Sequence, residues 1–193
     1  LDAVAKVKQH ITAGDVFQLV LSIRMEGACS LDPFEVYRAL RLLNPSPYMV
    51  YVEMGDTAVV GSSPEALVKL SGDKATLRPI AGTRKRGASP AEDRALEADL
   101  MADEKETAEH VMLVDLARND LGRVAKPGSV LAGTRHIRKC GDLWHAEQSV
   151  TASLDPSYDA VDLVASSFPP SSVTGAPKVR AMKVISELEH GPR

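Results

Sequence analysis

The first fourteen residues, LDAVAKVKQHITAG, place apolar side chains at Val4, Val7 and Ile11. That spacing marks one face of a helix, and Gly14 supplies a usual C-terminal stop. The next stretch, DVFQLVLSIRMEG, alternates and is rich in β-formers, so it predicts a strand over residues 16–26. Helical spacing returns in DPFEVYRALRLLN, where Asp32 suits the N-cap and Pro33 the first turn, giving a helix to about Leu43. Residues 48–80 read as a strand meander with turns at Gly55-Asp56 and Ser71-Gly72-Asp73. Two helices are predicted over 90–101 and 103–121, then two strands within 129–154 around Gly141-Asp142. A helix over 158–167, the loop FPPSSVTG and a helix from Pro177 to Glu189 complete the pattern. Strand runs separated by helix pairs predict an α+β fold, not an alternating parallel sheet.

Composition adds mainly exclusions. The 193 residues are 44% hydrophobic and 25% charged, enough for one domain or one piece of a larger one. The chain starts at Leu1 inside a helical pattern and stops just after another helix, so it is expected to be an internal segment of a longer chain. A net charge of -3 gives no reason to expect nucleic acid or an anionic membrane as partner. No apolar run approaches the roughly 18 residues of a membrane span, and no signal peptide opens the chain. Cys29 and Cys140 share no metal-ligand spacing and are expected to be inert, buried thiols in a reducing, cytoplasmic setting.

Candidate chemistry clusters in five places. RPIAGTRKRG sets Ala81, Gly82 and Thr83 against the cations Arg84, Lys85 and Arg86. Glu106 and Glu109 are three apart and share a helix face. Two readings stand for that pair: an acidic helical start complementing the macrodipole, which spacing alone favours, and carboxylates for a divalent cation such as Mg²⁺. Glu65, at the Ser-Ser-Pro turn, is either a solvated turn residue or a general acid. His145, beside the single tryptophan Trp144, is either a structural strand histidine or a catalytic one. Finally, SSVTGAPK precedes a helix whose free amides, with Lys178, suit an anion.

Five blocks occur in an order that resembles the chorismate-binding enzymes: AGDVFQLVLSIR, NPSPYMVYVEMGDTAVVGSSPEALVKL, LRPIAGTRKRG, ETAEHVMLVDLARNDLGRV and VTGAPKVRAMKVISELE. The resemblance covers nearly the whole chain and is closest to the large-subunit branch (component I) of the anthranilate synthases. It implies two antiparallel sheets flanked by helices, with this chain as the central part of one catalytic domain. It also implies Mg²⁺-dependent amination of chorismate by ammonia and loss of pyruvate, giving anthranilate for tryptophan synthesis. The ammonia comes from a glutamine amidotransferase subunit. By the same resemblance Glu65 is the general acid for the departing hydroxyl, His145 serves the expulsion of pyruvate, and Glu106 and Glu109 are the first metal-binding pair. Gly82 and Thr83 help position substrate by this resemblance, and the helix-start reading adds Gly175, Ala176 and Lys178 as expected substrate-binding residues. Ala81 stands where the aminodeoxychorismate branch has a nucleophilic lysine, so free ammonia is expected to enter. Asn44, Pro45, Ser46, Pro47, Tyr48 and Met49 resemble part of a tryptophan feedback pocket.

The chain departs from the family pattern in three respects. HAEQS follows where the family has H-I-V-S, and SSVTGAPK is closer to the aminodeoxychorismate form. The family's second metal pair and further substrate-gripping groups are expected beyond Arg193, which makes the isolated chain inactive. The alternatives are an aminodeoxychorismate- or isochorismate-type enzyme, and a non-catalytic relic that still binds chorismate.

Overall fold

A computed structural model describes residues 2–141, 143–189 and 191. In chain order the elements begin with α1 (Asp2–Thr12), β1 (Gln18–Leu19), α2 (Pro33–Leu43), β2 (Tyr48–Met54) and β3 (Thr57–Ser63). Next come β4 (Lys69–Ser71), β5 (Lys74–Leu77), β6 (Ile80–Lys85), α3 (Pro90–Ala102) and α4 (Glu104–Gly122). The last part holds β7 (Leu131–Ala132), β8 (His136–Cys140), β9 (Leu143–Glu147), β10 (Val150–Ser153) and α5 (Ala160–Ser167). A 3-10 turn at Ser171–Val173, β11 (Gly175–Ala176) and α6 (Lys178–Leu188) close the order. The α+β expectation holds: helices flank small sheets whose named strands all pair antiparallel.

The chain forms two compact units: Ile23–Ala66, and Leu1–Ser22 together with Leu67–Arg193. In the smaller unit β2 and β3 form a hairpin about Gly55. α2 starts where the sequence places it, because the Asp32 carboxylate accepts from the amides of Phe34 and Glu35. Phe34, Tyr37 and Tyr51 then stack as an aromatic cluster between helix and hairpin.

The larger unit is organised by α4. Its buried face reads His110, Leu113, Val114, Ala117, Asp120 and Leu121, the three-and-four spacing of one helix side. That side packs with Ala75, Val150, Ala152, Leu154 and Leu163 into the core. Two three- or four-stranded sheets serve it, β4-β5-β10-β7 and β6-β9-β8, while β1 and β11 form a two-stranded ribbon. α3 and α4 meet at one residue: Asp103 is the C-cap of α3 and the N-cap of α4.

The structure shortens the first strand. Of residues 16–26 only Gln18 and Leu19 form β1, in register with Ala176 and Gly175, while the amides of Phe17 and Val20 donate to the Ala176 and Thr174 carbonyls at the ends of this short ribbon. Ile23 and Met25 are left exposed, since a β-rich run extends no further than its partner strand does, and Cys29 is exposed too, against the expectation of a buried thiol. Pro177 is the N-cap of α6, one place earlier than its expected position in the helix. Asp142, half of the expected turn at Gly141-Asp142, lies outside the described residues. Among the described residues no helix is long and apolar enough to cross a membrane.

Candidate functional site

β6 carries the site's first irregularity. Its register against β9 runs Ile80↔Glu147 and Ala81↔Ala146, then slips, resuming at Thr83↔His145. Gly82 is the extra residue, with φ 79°, a left-handed conformation that glycine adopts without a Cβ penalty. The bulge puts Thr83 beside the catalytic candidate on β9: Thr83 Oγ1 and His145 Nδ1 are 3.0 Å apart. Ala81 is buried, opposite the fully buried Ala146.

Glu106 reaches the same bulge from α4. A Cβ on Gly82 would lie 2.7 Å from Leu100 Cδ1 and 3.1 Å from Glu106 Oε2, so only a residue without a side chain lets Leu100 and the Glu106 carboxylate pack this closely on the bulge. Glu106 and Glu109 extend the inward face of α4 toward its N-terminus, and both are half-buried while Glu104 and Lys105 are exposed. A pure macrodipole role predicts carboxylates in water, so their half-burial favours a local task. Glu109 Oε1 accepts from Gln18 Nε2 at 3.4 Å. Gln18 in turn pairs with Ala176, and Gly175 sits so close to β1 that a Cβ there would strike the Gln18 carbonyl. Gly175 and Ala176 are thus buried backbone that brings Gln18 to α4.

Arg84, Arg86 and Lys178 have acidic partners. Arg84 bonds Asp99 and Asp103, each at 2.8 Å, and the Thr83 carbonyl at 3.1 Å. Arg86 pairs with Asp93 and lies 4.6 Å over the Trp144 ring, whose N–H also donates to Asp93. With so many donors, chiefly Arg86, the Asp93 carboxyl is held far below the usual range. Lys178 Nζ bonds both oxygens of Asp120 at 2.8 Å, with side chains only 10% and 8% exposed. Burial raises the Asp120 pKa, and Lys178 opposes that.

One buried hub was illegible in sequence. Gln148 Nε2 donates to the Gly133 carbonyl at 2.7 Å, which turns its Oε1 toward His110 Nε2 at 3.2 Å. His110 must therefore carry its proton on Nε2. Burial, then the nearby Arg135 charge, lower its pKa, so the ring is neutral. The hub joins the residue after Glu109 to the connection after β9, which carries His145. Gln18, Asp120 and His110 were all overlooked; a polar residue inside an apolar pattern was the only signal any of them gave.

Glu65 and residues 44–49 belong to the smaller unit. Glu65 is half-buried and its carbonyl accepts from Ser63 Oγ at 2.8 Å. Met49 pairs with Ser62 and Tyr48 with Ser63, while Ser62 Oγ bonds the Asn44 carbonyl at 2.7 Å. Ser46 Oγ approaches Met49 Sδ at 3.5 Å, and Pro45 and Pro47 are exposed.

The donors suit a hard divalent cation only as part of a set. Among the described residues no group of three or more His, Cys, Asp and Glu is placed to hold a metal. Glu106 and Glu109 nonetheless match the one or two carboxylates by which Mg²⁺ is usually held, with water and an anionic substrate completing the shell.

Known proteins carry the same framework. The chain is 51% identical over 193 residues to anthranilate synthase component 1 of Aquifex aeolicus, covering 100% of this chain and 39% of the relative. It is 50% identical over 188 residues to aminodeoxychorismate synthase component 1 of Bacillus subtilis, covering 97% and 40%. The solved structure of anthranilate synthase component I from Streptococcus pneumoniae superposes with TM-score 0.88 at 41% identity, over 97% of this chain and 41% of that one. The chain therefore spans about two fifths of the length of these relatives. The chorismate binding enzyme family matches residues 1–193 in full. On this match and these identities, the chain belongs to the chorismate-binding enzymes.

Proposed function

We propose that this chain is the central part of an anthranilate synthase large subunit, which converts chorismate and ammonia to anthranilate, pyruvate and water. The observation that carries this reading is Ala81. It is buried at the Gly82 bulge, beside the Thr83–His145 contact and the Glu106 carboxylate. A lysine there would supply a tethered amine. Alanine supplies none, and the amine of Lys178 is held by Asp120. The nitrogen must then arrive as free ammonia, delivered in the cell by a glutamine amidotransferase partner. The two relatives with different products have nearly equal identity, so identity does not choose between them.

Glu106 and Glu109 would hold Mg²⁺, which supplies charge neutralisation for a substrate carboxylate. Thr83 fixes the His145 ring through Nδ1, leaving Nε2 to move a proton as pyruvate leaves. Glu65 donates a proton to the departing 4-hydroxyl, which leaves as water. Gly82 lets substrate approach the backbone closely.

The test is Ala81→Lys in the full-length subunit, supplied with chorismate, Mg²⁺ and ammonium. The parent is expected to yield fluorescent anthranilate and no adduct in intact-protein mass spectra. The variant is expected to lose anthranilate formation and gain a covalent adduct through its ring-bound amine. A folded variant that makes anthranilate at the parental rate, with no adduct, refutes the reading.

A further inference from the structure

Arg84 is the residue through which β6 grips α4. Its Nε bonds Asp99 and one terminal nitrogen bonds Asp103, both at 2.8 Å, while the other bonds the Thr83 carbonyl at 3.1 Å. These three partners lie at the end of α3, at the joint between the helices, and on the strand that forms the bulge. Asp103 uses its second oxygen to accept from the Glu106 amide at 3.0 Å, which starts α4. The Glu106 carboxylate is 3.7 Å from Arg84, a charge contact longer than a hydrogen bond. The Arg84 side chain is only 23% exposed, so these contacts form in partial shelter from water.

We infer that Arg84 is a positioning residue for the cation carboxylates: it clamps the α4 N-cap to the strand beside Thr83 and so fixes Glu106 over Gly82. This rests on the functional reading above in treating Glu106 as a cation ligand. The clamp needs the planar fork, since its three acceptors are met by three separate nitrogens and a compact ammonium offers only one. Arg84 thus explains why cations follow the Gly82-Thr83 turn. Arg84 and Arg86 hold α3 and the joint before α4 through Asp93, Asp99 and Asp103, and leave the substrate's own charge to other groups.

A rival role is visible in the same geometry. At 3.7 Å from Glu106, Arg84 could act merely as a competing charge that weakens cation binding. The two roles predict opposite signs. In the full-length subunit, Mn²⁺ binding is measured by electron paramagnetic resonance of the free ion, without substrate. Clamping predicts that Arg84→Gln and Arg84→Lys both weaken Mn²⁺ binding by roughly tenfold or more, the usual effect of losing a partner that orients a ligand. Unfolding midpoints of the variants establish that both are folded. Competition predicts tighter binding in Arg84→Gln and little change in Arg84→Lys. Unchanged or tighter binding in folded Arg84→Gln overturns the inference.

Asp103→Asn covers the case in which the arginine variants do not fold. Asparagine caps a helix about as well as aspartate, so α4 still starts, but the charge-assisted bond to Arg84 is lost. Its Mn²⁺ affinity is expected to fall about two- to fivefold, in line with a partly exposed ion pair. Parental affinity in Asp103→Asn overturns the inference as well. Failure of the functional reading is seen separately, as absence of anthranilate from the parental subunit given chorismate, ammonium and Mg²⁺.

Discussion

Replacing Lys178 with methionine removes one charge from a nearly dry pair and keeps most of the side-chain volume. Both Asp120 oxygens accept from Lys178 Nζ at 2.8 Å, and both side chains are about nine-tenths buried. At that separation the attraction is about 6 kcal/mol for an effective dielectric constant near 20. Desolvation offsets much of it, but breaking such a pair leaves an uncompensated carboxylate and costs about 3–5 kcal/mol. The cost should depend on pH with a definite sign. Burial already places the folded Asp120 pKa above its ordinary value of 3.8, so the folded chain binds that proton more tightly than the unfolded chain. The associated stability is fully present below 3.8 and is lost as pH rises through the folded value. Without Lys178 the folded value moves higher, which extends this loss toward neutrality. Urea unfolding of the full-length subunit at several pH values tests this, since the midpoint and slope give the free energy. Lys178→Met should therefore be least harmful in mild acid and most harmful near pH 8. Adding Asp120→Leu should recover most of the loss, because a packed apolar pair replaces a buried ion pair at little net cost. A single variant as stable as the parent at pH 8, or a deficit that does not change with pH, refutes the reasoning.

Three other outcomes follow from the site. Gly82→Ala must force a left-handed alanine and push its Cβ to 2.7 Å from the fully buried Leu100, costing about 2–5 kcal/mol in the unfolding free energy; a parental melting curve would contradict this. Glu106→Ala and Glu109→Ala should each raise the Mg²⁺ concentration needed for half-maximal anthranilate formation, and an unchanged requirement in both returns the pair to a helix-dipole role. Glu65→Gln should preserve the fold and slow turnover by roughly 10²–10⁴, the usual worth of a general acid; near-parental turnover would make Glu65 a turn residue.

Much of the fold was legible because its signals are local. Asp32, Ser89, Asp103 and Asp159 cap their helices through their own side chains, and such caps are written in one or two residues. The first strand was overestimated because pairing is not local: a run of eleven residues yields a two-residue strand when only the two-residue β11 lies beside it. The site was legible in part for the same reason. Motif order singled out Ala81, Gly82, Thr83, Glu106 and His145, and the bulge brings them together. The tasks of Arg84 and Arg86 were hidden, since the acidic partners Asp93, Asp99 and Asp103 lie seven to nineteen places along the chain. Gln18 is harder still, because its contact with Glu109 spans 91 positions.

The joint at Asp103 has a consequence for how this protein can vary in length. α3 ends at Ala102 and α4 starts at Glu104, so the link is a single residue with no slack. Each residue of a helix turns its side chains by about 100°. One residue added or removed at the joint would therefore change the clocking of α4 unless the connection buckled. Glu106 and Glu109 would swing away from the bulge while the apolar stripe behind them lost its seat on β5 and β10. Indels are ordinarily absorbed by loops, but this corner behaves as an indexed gear. Its sequence can drift while its length stays locked.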